Sequence, residues 1–281
     1  MHIASSSKFP LGSRQGIAIF VAAVSFQVLF MLVLASLSHF GLFGDFPGSF
    51  DALFSPFGAA VQVLITNSAL VLLALIPVRM NNLTFLKAFH VIQPSRLFTL
   101  VAIAGVVPLG IIVDEISFGL HVLAPTIFNT QGLDQMVAIF TDASPAGFAL
   151  ASLAISLGPA LGEEVMFRGL ILRSFRNDMS PLAAVVGSSI LFGIMHFNAL
   201  QGTGAALIGL YFGFVALAGG SIWPAVAAHA VNNMICAIAA RYAYASAGTA
   251  FSHGHPLWLL ATASIIFIII LTALIAFRRR T

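Results

Sequence analysis

Long apolar stretches that contain hardly any charged residue limit the fold of this chain more than any other feature. Only 7% of the 281 residues are charged, while 59% are hydrophobic. A soluble globular domain has about 25% charged residues. The composition therefore excludes a soluble enzyme, a nucleic-acid-binding protein, a disordered chain and a coiled coil. Because the apolar runs are continuous rather than alternating, they also argue against a β-barrel.

Eight segments are long and apolar enough, or nearly so, to cross a membrane. A spanning α-helix needs about 20 apolar residues to cross about 30 Å of hydrocarbon. The sequence therefore predicts an all-α polytopic membrane protein with about eight transmembrane helices, organised as one integral-membrane domain over residues 1–281. The predicted spans are 17–38, 58–78, 97–118, 147–174, 181–198, 203–219, 222–240 and 257–277.

The basic residues lie almost entirely in one set of alternate loops. Loops 39–57 and 119–146, on the opposite side, contain no Lys or Arg. The positive-inside rule therefore predicts that both termini are cytoplasmic, and the compact length with short loops favours a bacterial cell membrane. Arg241 is the one basic residue predicted on the outer side. The predicted cytoplasmic basic residues are Lys8, Arg14, Arg79, Lys87, Arg96, Arg173, Arg176, Arg278, Arg279 and Arg280, and the outer loops hold Asp45, Asp51, Asp134 and Asp142.

The fourth predicted span contains charged residues at membrane depth, where they are costly and therefore candidates for function. Glu164 and Arg168 are four residues apart, so one helix face brings them together as an ion pair. Glu163 points about 100° away from Glu164 and has no local partner. We therefore expect Glu163 to face a hydrogen-bond partner, a metal or a cavity.

Three further polar residues lie on neighbouring spans, namely His196, His229 and Asn233. Counted at 1.5 Å per residue, Glu163 and Asn233 lie roughly 16 Å from the cytoplasmic end of their spans, His229 roughly 10 Å and His196 roughly 21 Å. The four side chains are thus predicted to meet in one layer and to line a buried polar cavity. Pro159 removes a backbone donor and is expected to open space beside Glu163.

Pairs of glycines four residues apart predict close helix packing around this layer. The pairs are Gly158 with Gly162 and Gly209 with Gly213. Small residues at this spacing let two helices approach closely in a membrane.

This residue set can activate water in two ways. Glu163, His196 and His229 could hold a divalent metal such as Zn²⁺, with a water at an open position. Alternatively, Glu163 and His196 could act on water without a metal, while His229 and Asn233 donate hydrogen bonds to an oxyanion. Either route hydrolyses an amide, and Asn233 favours the second because Asn is an uncommon zinc ligand.

Other intramembrane protease designs lack their motifs in this chain. There is no H-E-x-x-H for a zinc protease and no G-x-S-x-G for a serine nucleophile. Asp114 has no second intramembrane Asp for an aspartyl pair.

Asp114, Glu115 and His121 are expected to mark a helix end at the membrane interface. His253 and His255 are expected in an exposed outer loop.

Three motifs in order resemble those of a known family. They are E-E-x-x-x-R at Glu163–Arg168, F-x-x-x-H at Phe192 and His196, and H-x-x-x-N at His229 and Asn233. This pattern resembles the CPBP intramembrane proteases, also called the Abi or type II CAAX prenyl endopeptidase-like family. The resemblance covers about residues 150–240, which would form the catalytic core.

The resemblance implies an all-α membrane fold of about eight spans with a buried cavity open to the cytosol and the lipid. By position, Glu163 and His196 would activate water, and His229 and Asn233 would stabilise the oxyanion. Glu164, Arg168 and Phe192 would support them. The implied partners are membrane lipid and a membrane-associated peptide or protein, CAAX-like in eukaryotic relatives, and no nucleic acid. The motifs leave a metal open.

Two functions outside peptide hydrolysis stay open at this point. Some bacterial relatives are linked to bacteriocin immunity or act as scaffolds, so the cavity could hold a partner without catalysis. Buried acidic and His residues also serve proton relays in transporters, although the chain offers no paired half-repeats of the transporter kind.

Overall fold

The computed structural model describes residues 9–39, 55–85, 89, 94–141, 143–244 and 254–278. Within these ranges the chain forms helices and no strand, which confirms the all-α prediction. Two short π-helical segments, Val165–Ile171 and Ala240–Tyr244, each continue an α-helix. The α-helices are α1 Ser13–His39, α2 Pro56–Met80, α3 Arg96–Ala104, α4 Val106–Leu123, α5 Gln131–Thr141, α6 Pro145–Glu164, α7 Leu172–Asp178, α8 Pro181–Ile194, α9 Ala199–Gly219, α10 Trp223–Ala239 and α11 Leu257–Arg278.

Seven helical segments in the described ranges are long and apolar enough to cross a membrane, so the chain is an integral membrane protein. They begin with α1 and α2, continue with α3–α4 and with the long run from α6 to α7, and end with α9, α10 and α11. The predicted span 181–198 is wrong in its extent. The helix there, α8, ends at Ile194 after 14 residues, about 21 Å.

Local chemistry at Asn198 explains why α8 ends early. The Asn198 side chain accepts a hydrogen bond from the Gln201 backbone N–H at 3.0 Å and so caps the start of α9. A capping residue has extended backbone angles, and Asn198 has φ −132° and ψ 130°. The residue before it, Phe197, has a positive φ of 53°. His196 therefore lies in the turn between α8 and α9 rather than on a helix.

Two other boundaries differ from the prediction. The outer loop predicted over 119–146 contains a further helix, α5. The single span predicted over 97–118 is divided into α3 and α4 at Gly105. A Cβ atom at Gly105 would lie 2.2 Å from the Tyr211 hydroxyl oxygen, and that hydroxyl donates to the Ala102 carbonyl at 2.7 Å. The absence of a side chain at Gly105 thus lets the Tyr211 hydroxyl of α9 reach the backbone of α3.

The glycine pairs pack helices closely, as the sequence predicts. Gly158 and Gly162 of α6 lie against α2, where a Cβ atom at Gly162 would come within 2.7 Å of Asn67. Gly209 and Gly213 of α9 lie against α8. These contacts fix α6 and α9, two of the helices that surround the predicted polar layer.

We expect Gly193→Ala to destabilise the protein by about 1–3 kcal/mol, the usual cost of overpacking. The new Cβ atom would lie 2.4 Å from the Gly202 carbonyl oxygen, which is backbone and cannot turn away. Helices α8 and α9 would have to separate beside His196. Thermal unfolding in detergent measures the loss. The matched control is Gly110→Ala, where no atom lies within 4 Å of the new Cβ position; equal stability of the two variants would contradict the expectation.

Candidate active site

The four polar residues predicted to meet do line one cavity, of about 310 Å³. Glu163 comes from α6, His196 from the turn after α8, and His229 and Asn233 from α10. The cavity wall is mainly apolar. A cavity of this size with a few convergent polar groups is typical of a binding or catalytic site.

Glu164 and Arg168 form the buried ion pair that their spacing predicts. Arg168 Nη1 lies 2.8 Å from Glu164 Oε1, and the two side chains are 1% and 0% exposed. Arg168 Nη2 also donates to the Gly209 carbonyl of α9 at 2.9 Å. The guanidinium lies over the ring of Phe192, with 4.6 Å between its carbon and the ring centroid. Arg168 therefore links α6, α8 and α9 through a cation–π contact and two hydrogen bonds.

A contact that the sequence did not predict joins His229 to Glu164. His229 Nδ1 lies 2.9 Å from the same Glu164 Oε1 that accepts from Arg168. Because that oxygen belongs to a carboxylate paired with Arg168, Nδ1 carries the hydrogen and donates. The His229 ring also stacks on Phe212, with the centroids 4.9 Å apart. These contacts fix the ring and direct Nε2 toward Glu163.

Glu163 is held by fewer contacts than the ionisable side chains beside it, which are Glu164, Arg168 and His229. Its side chain is 19% exposed, and its Oε2 atom lies 3.8 Å from His229 Nε2. No hydrogen bond to another described residue holds the carboxylate, as expected for a group that points away from the Glu164–Arg168 pair. Glu163 is therefore available to a ligand in the cavity.

Asn233 is held by a carbonyl group that Pro159 leaves unpaired. Pro159 has no N–H, so the carbonyl four residues earlier, at Ile155, lacks its helical partner. Asn233 Nδ2 donates to that carbonyl oxygen at 3.1 Å, and Asn232 Nδ2 donates to Asn233 Oδ1 at 3.3 Å. An amide nitrogen carries two hydrogens, so one N–H of Asn233 remains for a ligand.

His196 is oriented by the C-terminal end of α8, the helix that precedes it. Its Nδ1 lies 2.9 Å from the Phe192 carbonyl oxygen, which can only accept, so Nδ1 is the donor. In the neutral ring Nε2 is then an acceptor. The ring also meets Phe192 edge to face, with 5.1 Å between the centroids. Phe192 thus contacts both Arg168 and His196.

The donor set does not fit a metal ion as it stands. Among the described residues, no three His, Cys, Asp or Glu side chains are close enough together to hold one. The predicted set of Glu163, His196 and His229 therefore forms no such group. We therefore derive no chemical step through a metal.

Several polar residues of the cavity wall were not predicted as site residues. Asp114 was expected at a helix end, but it lies within α4 and lines the cavity. Gln201, Asn232 and Cys236 also line it. These residues could have been proposed from the sequence because they are polar side chains on otherwise apolar helices. The sequence does not show, however, whether they face the cavity.

The other residues that were expected near the outer membrane interface make hydrogen bonds to backbone groups. Glu115 Oε2 accepts from the His255 backbone N–H at 2.7 Å, and His121 Nδ1 lies 2.8 Å from the Phe128 carbonyl oxygen. His121 is near the end of α4, as expected, and His255 is half-buried rather than exposed. His253 lies outside the described residues, as do the predicted loop charges Lys8, Asp45, Asp51, Lys87, Asp142, Arg279 and Arg280.

A comparison with known families decides the identity of the segment that carries the site. Residues 145–235 match the model of the family described as Type II CAAX prenyl endopeptidase Rce1-like. The resemblance to the CPBP proteases is confirmed. The Rce1-like segment runs from the start of α6 into α10 and contains Glu163, His196, His229 and Asn233. At family level it supports an intramembrane endopeptidase of the CAAX type. No curated protein and no solved structure matches the chain.

Proposed function

We propose that this protein is an intramembrane endopeptidase that hydrolyses a peptide bond of a membrane-associated substrate. The observation that carries the proposal is the free Glu163 carboxylate, which faces His229 Nε2 at 3.8 Å in a cavity of the Rce1-like segment. A free carboxylate beside an oriented imidazole is the arrangement needed to move a proton to and from water.

Glu163 and His196 activate the water in this proposal. The Glu163 carboxylate accepts a proton from the water, while His196 Nε2 accepts a hydrogen bond from its other O–H and orients it. The water oxygen then forms a bond to the carbonyl carbon of the substrate. The π electrons of the carbonyl move to its oxygen, which gives a tetrahedral oxyanion.

His229 and Asn233 stabilise that oxyanion. In this proposal His229 carries a hydrogen on Nε2 as well as on Nδ1, so Nε2–H donates to the oxyanion together with the free N–H of Asn233. Preorganised donors of this kind are a large term in acyl-transfer catalysis. Glu163 then passes the water-derived proton to the leaving amine nitrogen as the C–N bond breaks, which yields one new carboxyl and one new amino terminus.

Hydrolysis is tested by cleavage of a membrane-anchored peptide library with purified protein in H₂¹⁸O. Each product is expected to carry one ¹⁸O in its new C-terminal carboxyl group, because the water oxygen becomes part of that group. Mass spectrometry reads both the cleavage position and the isotope. A protein that retains peptides of the library without cleaving any would contradict the proposal and favour a binding or immunity function.

We expect chelators to leave the cleavage rate unchanged. The proposed steps use carboxylate, imidazole and amide groups alone, and the described donor residues do not form a metal group. The measurement compares cleavage rates with and without prolonged dialysis against EDTA and 1,10-phenanthroline, with metal analysis of the dialysed protein. Loss of cleavage that returns on addition of Zn²⁺ would establish the metal mechanism instead.

A further inference from the structure

A second cavity, here called the side chamber, adjoins the cavity that contains Glu163. Its volume is about 220 Å³, and it lies between α4, α5, α9 and α10. Asp114, Asn232 and Cys236 line both cavities, so the two cavities meet at these three side chains. The side chamber is therefore an extension of the candidate active site.

Beyond the wall that the two cavities share, the side chamber is lined by apolar residues and glycine. A charged or hydrogen-bonding group placed there would lose its water without gaining a polar side chain as partner, which is costly. An apolar group would instead be favoured by the removal of its surface from water. The chamber therefore suits an apolar group. The apolar lining includes Val106, Val107, Gly110 and Ile111 of α4 and Ile235 and Ala239 of α10.

Gly110 keeps the side chamber open. A glycine inside a helix is less stable than alanine, and such a glycine is usually explained by a neighbour that needs the space. Gly105, five residues earlier, is of that kind, because a Cβ atom there would clash with Tyr211. At Gly110 no atom lies within 4 Å of the position that a Cβ atom would take. Since Gly110 lines the side chamber, a side chain at this position would extend into the chamber rather than against a packed helix.

The volume of the side chamber fits one large side chain. An apolar cavity of about 150 Å³ can hold a benzene molecule. At about 220 Å³ the side chamber has room for the ring of a Phe side chain or for the branched chain of Leu. An Ala side chain would leave most of it empty.

The shared wall lies beside a residue that is proposed to stabilise the oxyanion. Asn232 Nδ2 donates to Asn233 Oδ1 at 3.3 Å. Cys236 is three residues after Asn233 on α10, and residues at this spacing are neighbours on the helix surface. A substrate whose scissile carbonyl oxygen meets Asn233 therefore has a flanking side chain at the entrance to the side chamber.

We propose that the side chamber binds a large apolar side chain, such as that of Phe or Leu, next to the scissile bond of the substrate. The proposal rests on the proposed function and adds the class of peptide that is cleaved. Peptides with Phe or Leu at this position fill the chamber and are cleaved efficiently. Peptides with Ala leave it unfilled and are cleaved more slowly.

Gly110→Leu fills the side chamber, and Gly119→Leu is the matched control. Gly119 is also on α4 and also has no atom within 4 Å of its Cβ position, but it lines neither cavity. Membrane-anchored peptides that differ only by Ala, Leu or Phe beside the scissile bond are cleaved by the wild type and by both variants. The measured quantity is the ratio of kcat/KM for the Phe peptide to that for the Ala peptide.

The wild type is expected to favour Phe over Ala, and Gly110→Leu is expected to lower this ratio by about 10–200-fold, the range that one methylene group can supply in an apolar pocket. Gly119→Leu should keep the wild-type ratio. Gly110→Ala adds a single methyl group and should shift the ratio in the same direction by less, which keeps the test available if Gly110→Leu does not fold. A wild type that does not distinguish Phe from Ala, or folded Gly110 variants with the wild-type ratio, would overturn the proposal.

Cys236 allows the side chamber to be tested without cleavage. It is the single cysteine of the chain, and its side chain is exposed. In detergent, the rate at which Cys236 reacts with benzyl methanethiosulfonate is compared with the rate for methyl methanethiosulfonate. Because the benzyl ring needs the chamber, Gly110→Leu is expected to lower the benzyl-to-methyl ratio by about tenfold or more, whereas Gly119→Leu should not change it. An unchanged ratio in Gly110→Leu would overturn the proposal.

The two measurements separate the side chamber from the proposed function. The expected thiol ratios together with an absence of cleavage would refute the peptidase proposal, and the side chamber would then be a site for an apolar ring alone. Cleavage with the same Phe-to-Ala ratio in Gly110→Leu and in the wild type would refute the side chamber as a substrate site and leave the peptidase proposal intact.

Discussion

Glu163→Gln is expected to lower kcat by about 10²–10⁴-fold, the range usually supplied by a positioned general base. Gln has the size of Glu but cannot accept the proton of the attacking water. The fold should be unaffected, because the Glu163 carboxylate makes no hydrogen bond to the other described residues and its closest charged contact, His229 Nε2, is 3.8 Å away. The measurement is single-turnover cleavage of a membrane-anchored peptide, alongside thermal unfolding in detergent.

The matched control for this variant is Glu115→Gln. Glu115 is also a carboxylate within a spanning segment, but it accepts a hydrogen bond from the His255 backbone and does not line the cavity. A Gln side chain can still accept that bond, so cleavage by Glu115→Gln should equal that of the wild type. If Glu163→Gln retained the wild-type rate, Glu163 would not be the base. If Glu163→Gln unfolded at lower temperature than Glu115→Gln, its contribution would be structural.

Features that depend on neighbours along the chain could be predicted from the sequence. The apolar runs gave most of the spans, because a helix must bury its backbone polar groups internally in lipid. The Glu164–Arg168 pair was predictable because residues four apart meet on one helix face. The close packing of α6 against α2 at Gly162 was predictable for a similar reason, since a small residue allows the approach.

Features that depend on distant residues could not be predicted in this way. The bond between His229 and Glu164 spans 65 positions, and that between Asn233 and Ile155 spans 78. Pro159 does reveal from sequence alone that the Ile155 carbonyl lacks a partner, but not which donor replaces it. The end of α8 was predicted four residues too late. In the sequence Asn198 is a single polar residue in an apolar run, and nothing shows that it caps the next helix.

The cavity extends from Glu163 along α6 in one direction only. Counting how deep each residue lies in the membrane could not have predicted this direction. Depth counting placed Glu163 roughly 16 Å from the cytoplasmic end of its span, but a depth does not say on which side of Glu163 the helices leave space. Which side is filled depends on the packing of Phe89, which comes from the connection between α2 and α3, against the π-helical segment. That contact joins residues 80 positions apart along the chain and has no signal in either segment alone.

Arg168→Met is expected to destabilise the protein by about 3–5 kcal/mol, the usual cost of removing one partner from a buried ion pair. Met retains much of the hydrocarbon volume, but it leaves the Glu164 carboxylate with His229 as its remaining partner and the Gly209 carbonyl without its donor. Equilibrium unfolding in mixed micelles measures the change. Arg176→Met is the matched control, because Arg176 is exposed and its one hydrogen bond within the described part of the chain goes to the Met179 carbonyl; a surface change of this kind should stay within about 0.5 kcal/mol. Equal stability of the two variants would contradict the expected role of the pair.

The double variant Arg168→Met/Glu164→Gln separates stability from positioning at this site. Removing both charges leaves no unpaired buried carboxylate, so much of the lost stability should return. His229 would then face a neutral amide instead of the Glu164 Oε1 atom that now accepts from its Nδ1 at 2.9 Å. A stable double variant with low kcat would show that the negative charge of Glu164 serves catalysis by favouring the hydrogen on His229 Nε2, because a Gln side chain can still accept from Nδ1 and folding would have been restored. A stable double variant with the wild-type kcat would show that His229 needs no such partner, and the proton on Nε2 would have to be held by Glu163 alone.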